Sequence, residues 1–245
     1  MRAIVIPEPW KAVTAEREVP VPKQGEALLK MVCGGICGSD LASYRGQSAY
    51  VSYPRTIGHE FAAEVVEVGE NPYGIKKGML VTGNPYFNCG TCYSCRRGFV
   101  NACIHNETMG VQREGAFSDY FTMPVERLFD GTGIDSKELA LVEPFCISYH
   151  GVSRAQLKPD DKVLIFGAGA IGILAGVAAK SCGAKAYITD IAEEKVKKAV
   201  EDFGLDGGFV NDSPEKLEEF IKTITNGDGF DATVEAVGAP STFLA

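Results

Sequence analysis

Two groups of residues in this sequence carry donor atoms suited to a metal ion, and they differ in what they leave open. The run Cys89-x2-Cys92-x2-Cys95-x7-Cys103 sets four thiols within fifteen positions. Four thiolates close a tetrahedral zinc site at zinc–sulfur distances of about 2.3 Å, with no position left for water or substrate, so such an ion is structural. The surrounding lobe, about 86–106, contains Gly90 and Gly98 and little apolar content to fold around. Disulfides are the competing use of these thiols. The short Cys-x2-Cys loops disfavour them, as does a reducing compartment.

The second group lies between Gly34 and Glu60 and holds Cys37, Ser39, Asp40, His59 and Glu60. A catalytic zinc takes three protein ligands of S, N or O type and keeps a fourth position open. Cys37 and His59 supply thiolate and imidazole, and Gly34, Gly35, Gly38 and Gly58 around them suit tight turns. Singly, Cys37 reads equally well as a small buried hydrophobe and His59 as a core histidine. Together they favour a metal.

A third group would hold a nucleotide. Val163-Leu-Ile-Phe leads into Gly167-Ala-Gly169-Ala170-Ile171-Gly172, and Asp190 closes the next strand-like run, Ala186-Tyr-Ile-Thr. Gly167 permits the turn, Gly169 the approach of a pyrophosphate and Gly172 close helix–strand packing, with phosphate at the helix N-terminus. Asp190 would bind the adenosine ribose and repel a 2′-phosphate, which favours NAD over NADP. The alternative is a turn acid beside glycines that merely pack.

Elements must position these groups. Up to about residue 130 the sequence alternates short β-rich runs with Gly and Pro. Strands are predicted at Ala3–Ile6, Glu26–Cys33, Glu60–Val68, Leu80–Thr82, Phe117–Met123 and Val125–Phe129, forming a compact β-barrel. From about Lys162 the pattern becomes strand, helix, strand, with runs at Val163–Phe166, Ala186–Thr189, Gly208–Asn211 and Asp231–Val237. That alternation predicts a parallel sheet with crossovers. The domain boundary is expected near Ser148–Ala155, giving 1–150 and 151–245.

The net charge of −8, without any Lys/Arg block, makes nucleic acid and anionic membranes poor partners. The uncharged stretch Val163–Ala179 is slightly short for a membrane span and rich in glycine, so strand, turn and helix fit it better. The N-terminus enters a strand pattern without the sections of a signal peptide, so a cytoplasmic location is expected. Cys33, Cys146 and Cys182 read as core residues.

Taken together, Gly35-Ile-Cys37-Gly-Ser-Asp40, Gly58-His59-Glu60, the four-cysteine lobe, Gly115-Ala-Phe-Ser-Asp-Tyr120, Val142-Glu143-Pro144, the glycine fingerprint and Asp231-x3-Glu235-x2-Gly238 resemble the zinc-dependent medium-chain alcohol dehydrogenases. The polyol and sugar-acid branch is the most similar. The resemblance covers the whole chain and implies a GroES-like β-barrel catalytic domain plus an α/β Rossmann domain. The parallel sheet is expected to be truncated after its fourth strand. It implies one catalytic and one structural zinc, with NAD as cofactor. Cys37 and His59 become catalytic ligands, with Glu60 and Glu143 both offered for the carboxylate role. Asp40 would orient a ligand such as His59, Ser39 would take the substrate proton, and Lys195 would lie near the ribose. A small polyol or sugar acid is the implied substrate, and a homo-oligomer, dimer or tetramer, the implied assembly. Arg45 or Arg55 could meet a substrate carboxylate, although an ordinary structural arginine is the simpler reading. Ala42 stands where the family often has a histidine, which leaves water or ribose as the route for the proton beyond Ser39. A rival reading is a non-catalytic dinucleotide-binding sensor or scaffold of the same fold.

Overall fold

The computed structural model describes residues 1–243 and divides into two compact units, Met1–Glu143 and Pro144–Ala245. The division falls inside the helix Val142–Arg154, earlier than the 150/151 boundary expected from composition. The reason is local: Val142 packs with Ala62 and Leu139 of the first unit, whereas Phe145 and Val152 belong to the core of the second.

The first unit is built on two sheets. Leu128–Asp130, Leu80–Gly83, Glu60–Val68, Glu26–Gly35 and Tyr120–Pro124 lie side by side in that order. A smaller sheet orders Lys11–Glu16, Arg2–Glu8 and Arg55–Thr56. The two longest strands pair antiparallel from Ala27 opposite Val68 to Gly35 opposite Glu60, with two register shifts. Their inward residues, Leu29, Phe61, Ala63 and Val65, pack with Val81, Phe121 and Met123 into the core. Alternation of side chains across a strand is what made these strands readable. Phe61 meets Phe121 edge-on, with ring centroids 5.0 Å apart.

Three expectations shift. Lys11–Glu16 was not predicted; all but one of its six residues are exposed, so it lacks a buried face that would impose alternation. Phe117–Asp119 leave the large sheet: the Ile4 N–H donates to Phe117 O, and the Asp119 N–H to Arg2 O, both at distances below 3 Å (2.8 and 2.9 Å). The strand therefore starts only at Tyr120. Val125–Arg127 is a 3-10 turn after Pro124, so the last strand of this stretch is Leu128–Asp130.

In the second unit the strands Gly207–Val210, Lys185–Asp190, Lys162–Phe166 and Ala232–Glu235 form a parallel sheet in that order, which is 3-2-1-4 by position in the unit. The helices Ala170–Ser181, Glu193–Glu201 and Pro214–Thr225 make the crossovers. The third begins with Ser213 Oγ accepting from the Lys216 N–H at 3.3 Å and Pro214 in its first turn. One face buries Val163, Ile165, Ile188 and, from the helix Ala170–Ser181, Ala175, Ala178 and Ala179. The other buries Leu164, Phe166 and Leu217 against Phe209 and Phe220, whose rings stack at 4.2 Å. No helix among the described residues is long and apolar enough to cross a membrane. Cys33 is half-buried against the core of Ala62, Leu139 and Ala140, whereas Cys182 is only half-buried and Cys146 is exposed, which corrects the reading of these two as core residues.

Candidate active site

The helix Gly38–Tyr44 starts at Cys37, and its third residue, Asp40, turns its carboxylate back on the chain. Asp40 Oδ2 accepts from the Cys37 N–H at 2.9 Å and Oδ1 from the Gly58 N–H at 3.1 Å. One buried carboxylate thus ties the segment that carries Cys37 to the segment that carries His59. Burial pushes the Asp40 pKa up, and His59 together with the two N–H donors opposes that shift. His59 Nδ1 lies 3.9 Å from Asp40 Oδ1, too far for a hydrogen bond, and is buried without any hydrogen-bond partner. A buried ring nitrogen in that condition calls for a further ligand.

Glycines make the approach possible. Gly58 has φ +98°, and a Cβ there would stand 2.4 Å from the Phe117 ring. At Gly35, directly across the ladder from Glu60, a Cβ would stand 2.1 Å from Glu60 Oε2. The carboxylate of Glu60 occupies the space that any other residue would fill.

Cys37, His59 and Glu60 each offer a donor atom, and the three lie within 4.8 Å of one another. Burial would lower the His59 pKa, but the Cys37 sulfur, Asp40 and Glu143 outweigh it and push the value up to about 9. Burial and then the charge of Glu143 raise the Glu60 pKa. Thiol, imidazole and carboxylate therefore converge in a buried place that favours positive charge. A divalent cation fits that donor set, and the mixture of S, N and O is the one a zinc with an open position takes. Of the other residues singled out from sequence, Glu143 is buried but outside this group, with Oε1 accepting from the Tyr86 hydroxyl at 2.5 Å. Ser39 is exposed in the first helical turn, two positions after Cys37. Arg55 is engaged elsewhere: it donates to Glu114 Oε1 at 3.1 Å and to Ser52 Oγ at 2.6 Å, so it is a structural arginine.

The sulfurs of Cys89, Cys92, Cys95 and Cys103 also gather within 4.8 Å. Backbone N–H groups already point at them, from Cys92 to Cys89 Sγ and from Cys89 to Cys103 Sγ, each at 3.3 Å. The N–H groups of Thr91 and Cys92 push the Cys89 pKa down to about 5, toward the thiolate a metal requires. Around them Tyr93, Phe99, Val100 and Ile104 are exposed. The lobe has no apolar core of its own, and a zinc held by four cysteines fits it. Its entry strand, Tyr86–Phe87, pairs with Glu107–Thr108. Arg127 Nη1 donates to Tyr86 O at 2.5 Å, and Nη2 to Asn88 Oδ1 at 3.2 Å. The guanidinium groups of Arg113 and Arg127 both lie over the Phe87 ring, at 4.1 and 4.6 Å from its centroid. Tyr86 and these arginines were not singled out from sequence, since one aromatic and two basic residues far apart in the chain carry no spacing signal.

In the second unit, Gly172 packs so closely that a Cβ would stand 1.8 Å from Gly167 O. Gly169, at the start of Ala170–Ser181, has nothing within 4 Å of that position. The open space lies at a helix N-terminus, where backbone N–H groups bind phosphate. Asp190 accepts from the Ala168 N–H at 2.8 Å and the Ala192 N–H at 2.9 Å. Burial opposes ionisation there, but those N–H donors and Lys195 win and hold the Asp190 pKa low. A dinucleotide fits these residues, with a carboxylate ready to accept from a ribose.

Comparison with known proteins accounts for both units. The alcohol dehydrogenase GroES-like domain family matches residues 23–132, and the zinc-binding dehydrogenase family matches residues 170–245. L-galactonate-5-dehydrogenase of Escherichia coli K12 is 40% identical over 190 residues, which are 78% of this chain and 56% of that protein. An uncharacterized zinc-type alcohol dehydrogenase-like protein of Haemophilus influenzae is 34% identical over 241 residues, 98% of this chain and 70% of its own length. The crystal structure of the alcohol dehydrogenase rspB from E. coli CFT073, complexed with NADH, superimposes with a TM-score of 0.87 at 32% identity, covering 98% of this chain and 70% of that one. The chain thus spans little more than half the length of one curated relative and about two thirds of the other. Likeness over nearly all of its residues places this chain in the zinc-dependent medium-chain alcohol dehydrogenase family, whose polyol dehydrogenases are among its relatives.

Proposed function

We propose that the protein is an NAD-dependent dehydrogenase that oxidises a secondary alcohol of a polyol or sugar acid. The gathering of Cys37, His59 and Glu60 within 4.8 Å carries the reading. When bound, zinc supplies Lewis-acid polarisation of the alcohol and the dinucleotide takes the hydride. Cys37, His59 and Glu60 hold the ion, and Asp40 fixes the two segments that present them. Ser39, exposed beside Cys37, takes up the hydroxyl proton at Oγ; with Ala42 in the next turn, the proton leaves by water or ribose. The Gly167–Gly172 turn and the N-terminus of Ala170–Ser181 hold the pyrophosphate. Asp190 accepts from the ribose and repels a 2′-phosphate, which selects NAD. Similarity to L-galactonate-5-dehydrogenase supports a sugar acid or polyol as substrate.

The test is a panel of polyols and sugar acids assayed for NAD reduction, with zinc measured alongside. Two zincs per chain are expected, with turnover lost in His59→Ala while NAD binding persists. A single zinc in an intact lobe, with no reduction of NAD by any compound, would replace the enzyme with a non-catalytic dinucleotide-binding protein.

A further inference from the structure

Besides Asp40, which braces the two segments, two buried carboxylates face the cluster of Cys37 and His59, and only one joins it. Glu143 is close enough for its charge to act on both His59 and Glu60. Its carboxylate nevertheless stays outside the group of donors that lie within 4.8 Å of one another. What holds it is Tyr86, whose hydroxyl donates to Oε1 at 2.5 Å. A hydrogen bond to an ionised carboxylate at that distance is among the stronger ones available to a neutral donor. Tyr86 is itself fixed: its strand pairs with Glu107–Thr108, and Arg127 donates to its backbone carbonyl and to the Asn88 side chain two positions on. The phenol is thus a post mounted on rigid backbone. Glu60, by contrast, has Cys37 itself as its side-chain hydrogen-bond partner, and its carboxylate fills the space over Gly35.

We propose that Tyr86 is the positioning residue that decides which carboxylate completes the metal site: by holding Oε1 of Glu143 it leaves Glu60 as the third protein ligand and a fourth position for substrate. This rests on the reading of Cys37, His59 and Glu60 as the metal set. Without the phenol, Glu143 is released to bind the ion as well, which closes the position that substrate needs.

Cobalt(II) loaded in place of zinc tests this by its visible d–d absorption, which reports the number and type of ligands, independent of turnover. Spectra of the Cys37→Ser variant subtract the contribution of the four-cysteine site. Tyr86→Phe, which keeps the ring, is expected to weaken and shift the d–d bands toward higher coordination. Chelator competition should show about tenfold tighter binding, the scale on which partners of metal ligands act. Adding Glu143→Gln to Tyr86→Phe should return both readings toward those of the unaltered protein. Identical spectra and affinity in Tyr86→Phe, or a shift that persists in the double variant, would overturn the role of Tyr86 while leaving the metal site standing. Failure of the unaltered chain to take up cobalt beyond the four-cysteine site would overturn the metal reading and this inference with it.

Discussion

At the scale of single residues, the sequence showed which donors were present but not which of them meet. Cys37 and His59 could be named only as a pair, because each alone reads as an ordinary core residue while a thiol and an imidazole together beside tight turns suit a metal. Whether Glu60 or Glu143 completed the set could not be read, since the answer depends on a phenol 57 positions away in the chain from Glu143. Asp190 was legible because its place after the second strand fixes its distance from the glycine turn. Its two oxygens hold the N–H groups of Ala168 and Ala192, so the side chain also braces the turn. Asp190→Ala is therefore expected to weaken NAD binding by roughly 2 kcal/mol, the size of a hydrogen bond to a charged group. The preference over NADP should narrow at the same time, since the repulsion of a 2′-phosphate goes with the charge. Calorimetric titration of both nucleotides checks this, and unchanged affinities would remove Asp190 from the site.

At the scale of elements, strands with one buried face were legible and strands without one were not. Glu60–Val68 was predicted with its observed limits because it is a β-rich run bounded by turn formers, and it buries Phe61, Ala63 and Val65 in one core and Ala62 in another. Lys11–Glu16 escaped because exposed edge strands carry no alternation, and Phe117–Asp119 misled because they run straight into the strand Tyr120–Pro124 while bonding to Arg2 and Ile4. The four-cysteine lobe was read from spacing alone, and its exposed Tyr93, Phe99, Val100 and Ile104 explain why. Sulfur, not apolar packing, has to hold it. Cys92→Ser should release one zinc per chain and open the lobe to protease, leaving Cys37, His59 and Glu60 able to bind an ion. Elemental analysis with limited proteolysis checks this; two zincs retained would show that the site is not closed by these four thiols.

At the scale of the whole molecule, a chain with net charge −8 gathers its few arginines where they hold segments together. Glu114 accepts from Arg17 at 2.7 Å, from Arg55 at 3.1 Å and from the Thr56 N–H at 3.3 Å, so it joins distant parts of the first unit. Burial opposes its ionisation, yet the Thr56 N–H and Arg17 outweigh it and hold its pKa below the ordinary 4.5. A depressed carboxylate pKa stabilises the fold above the unfolded value and loses that contribution as pH falls through the folded one. Glu114→Gln should thus cost about 1 kcal/mol or less at pH 7, since half of the side chain is exposed. The difference between variant and unaltered protein should shrink as pH falls below about 4.5. Thermal unfolding at several pH values measures it, and a difference that does not vary with pH would mean that Glu114 acts through shape alone. The Phe87 ring, with Arg113 and Arg127 both against it, has an electrical role as well as an apolar one. It offers each cation a negative π face, where burial first and the charge of Arg113 after it disfavour ionised Arg127. Phe87→Leu keeps the bulk but removes the π face, and should cost about 1–2 kcal/mol, two cation–π contacts at roughly 0.5–1 each. Thermal unfolding of that variant beside the unaltered protein measures it, and equal stability would reduce the ring to an apolar filler whose charge distribution the arginines do not use.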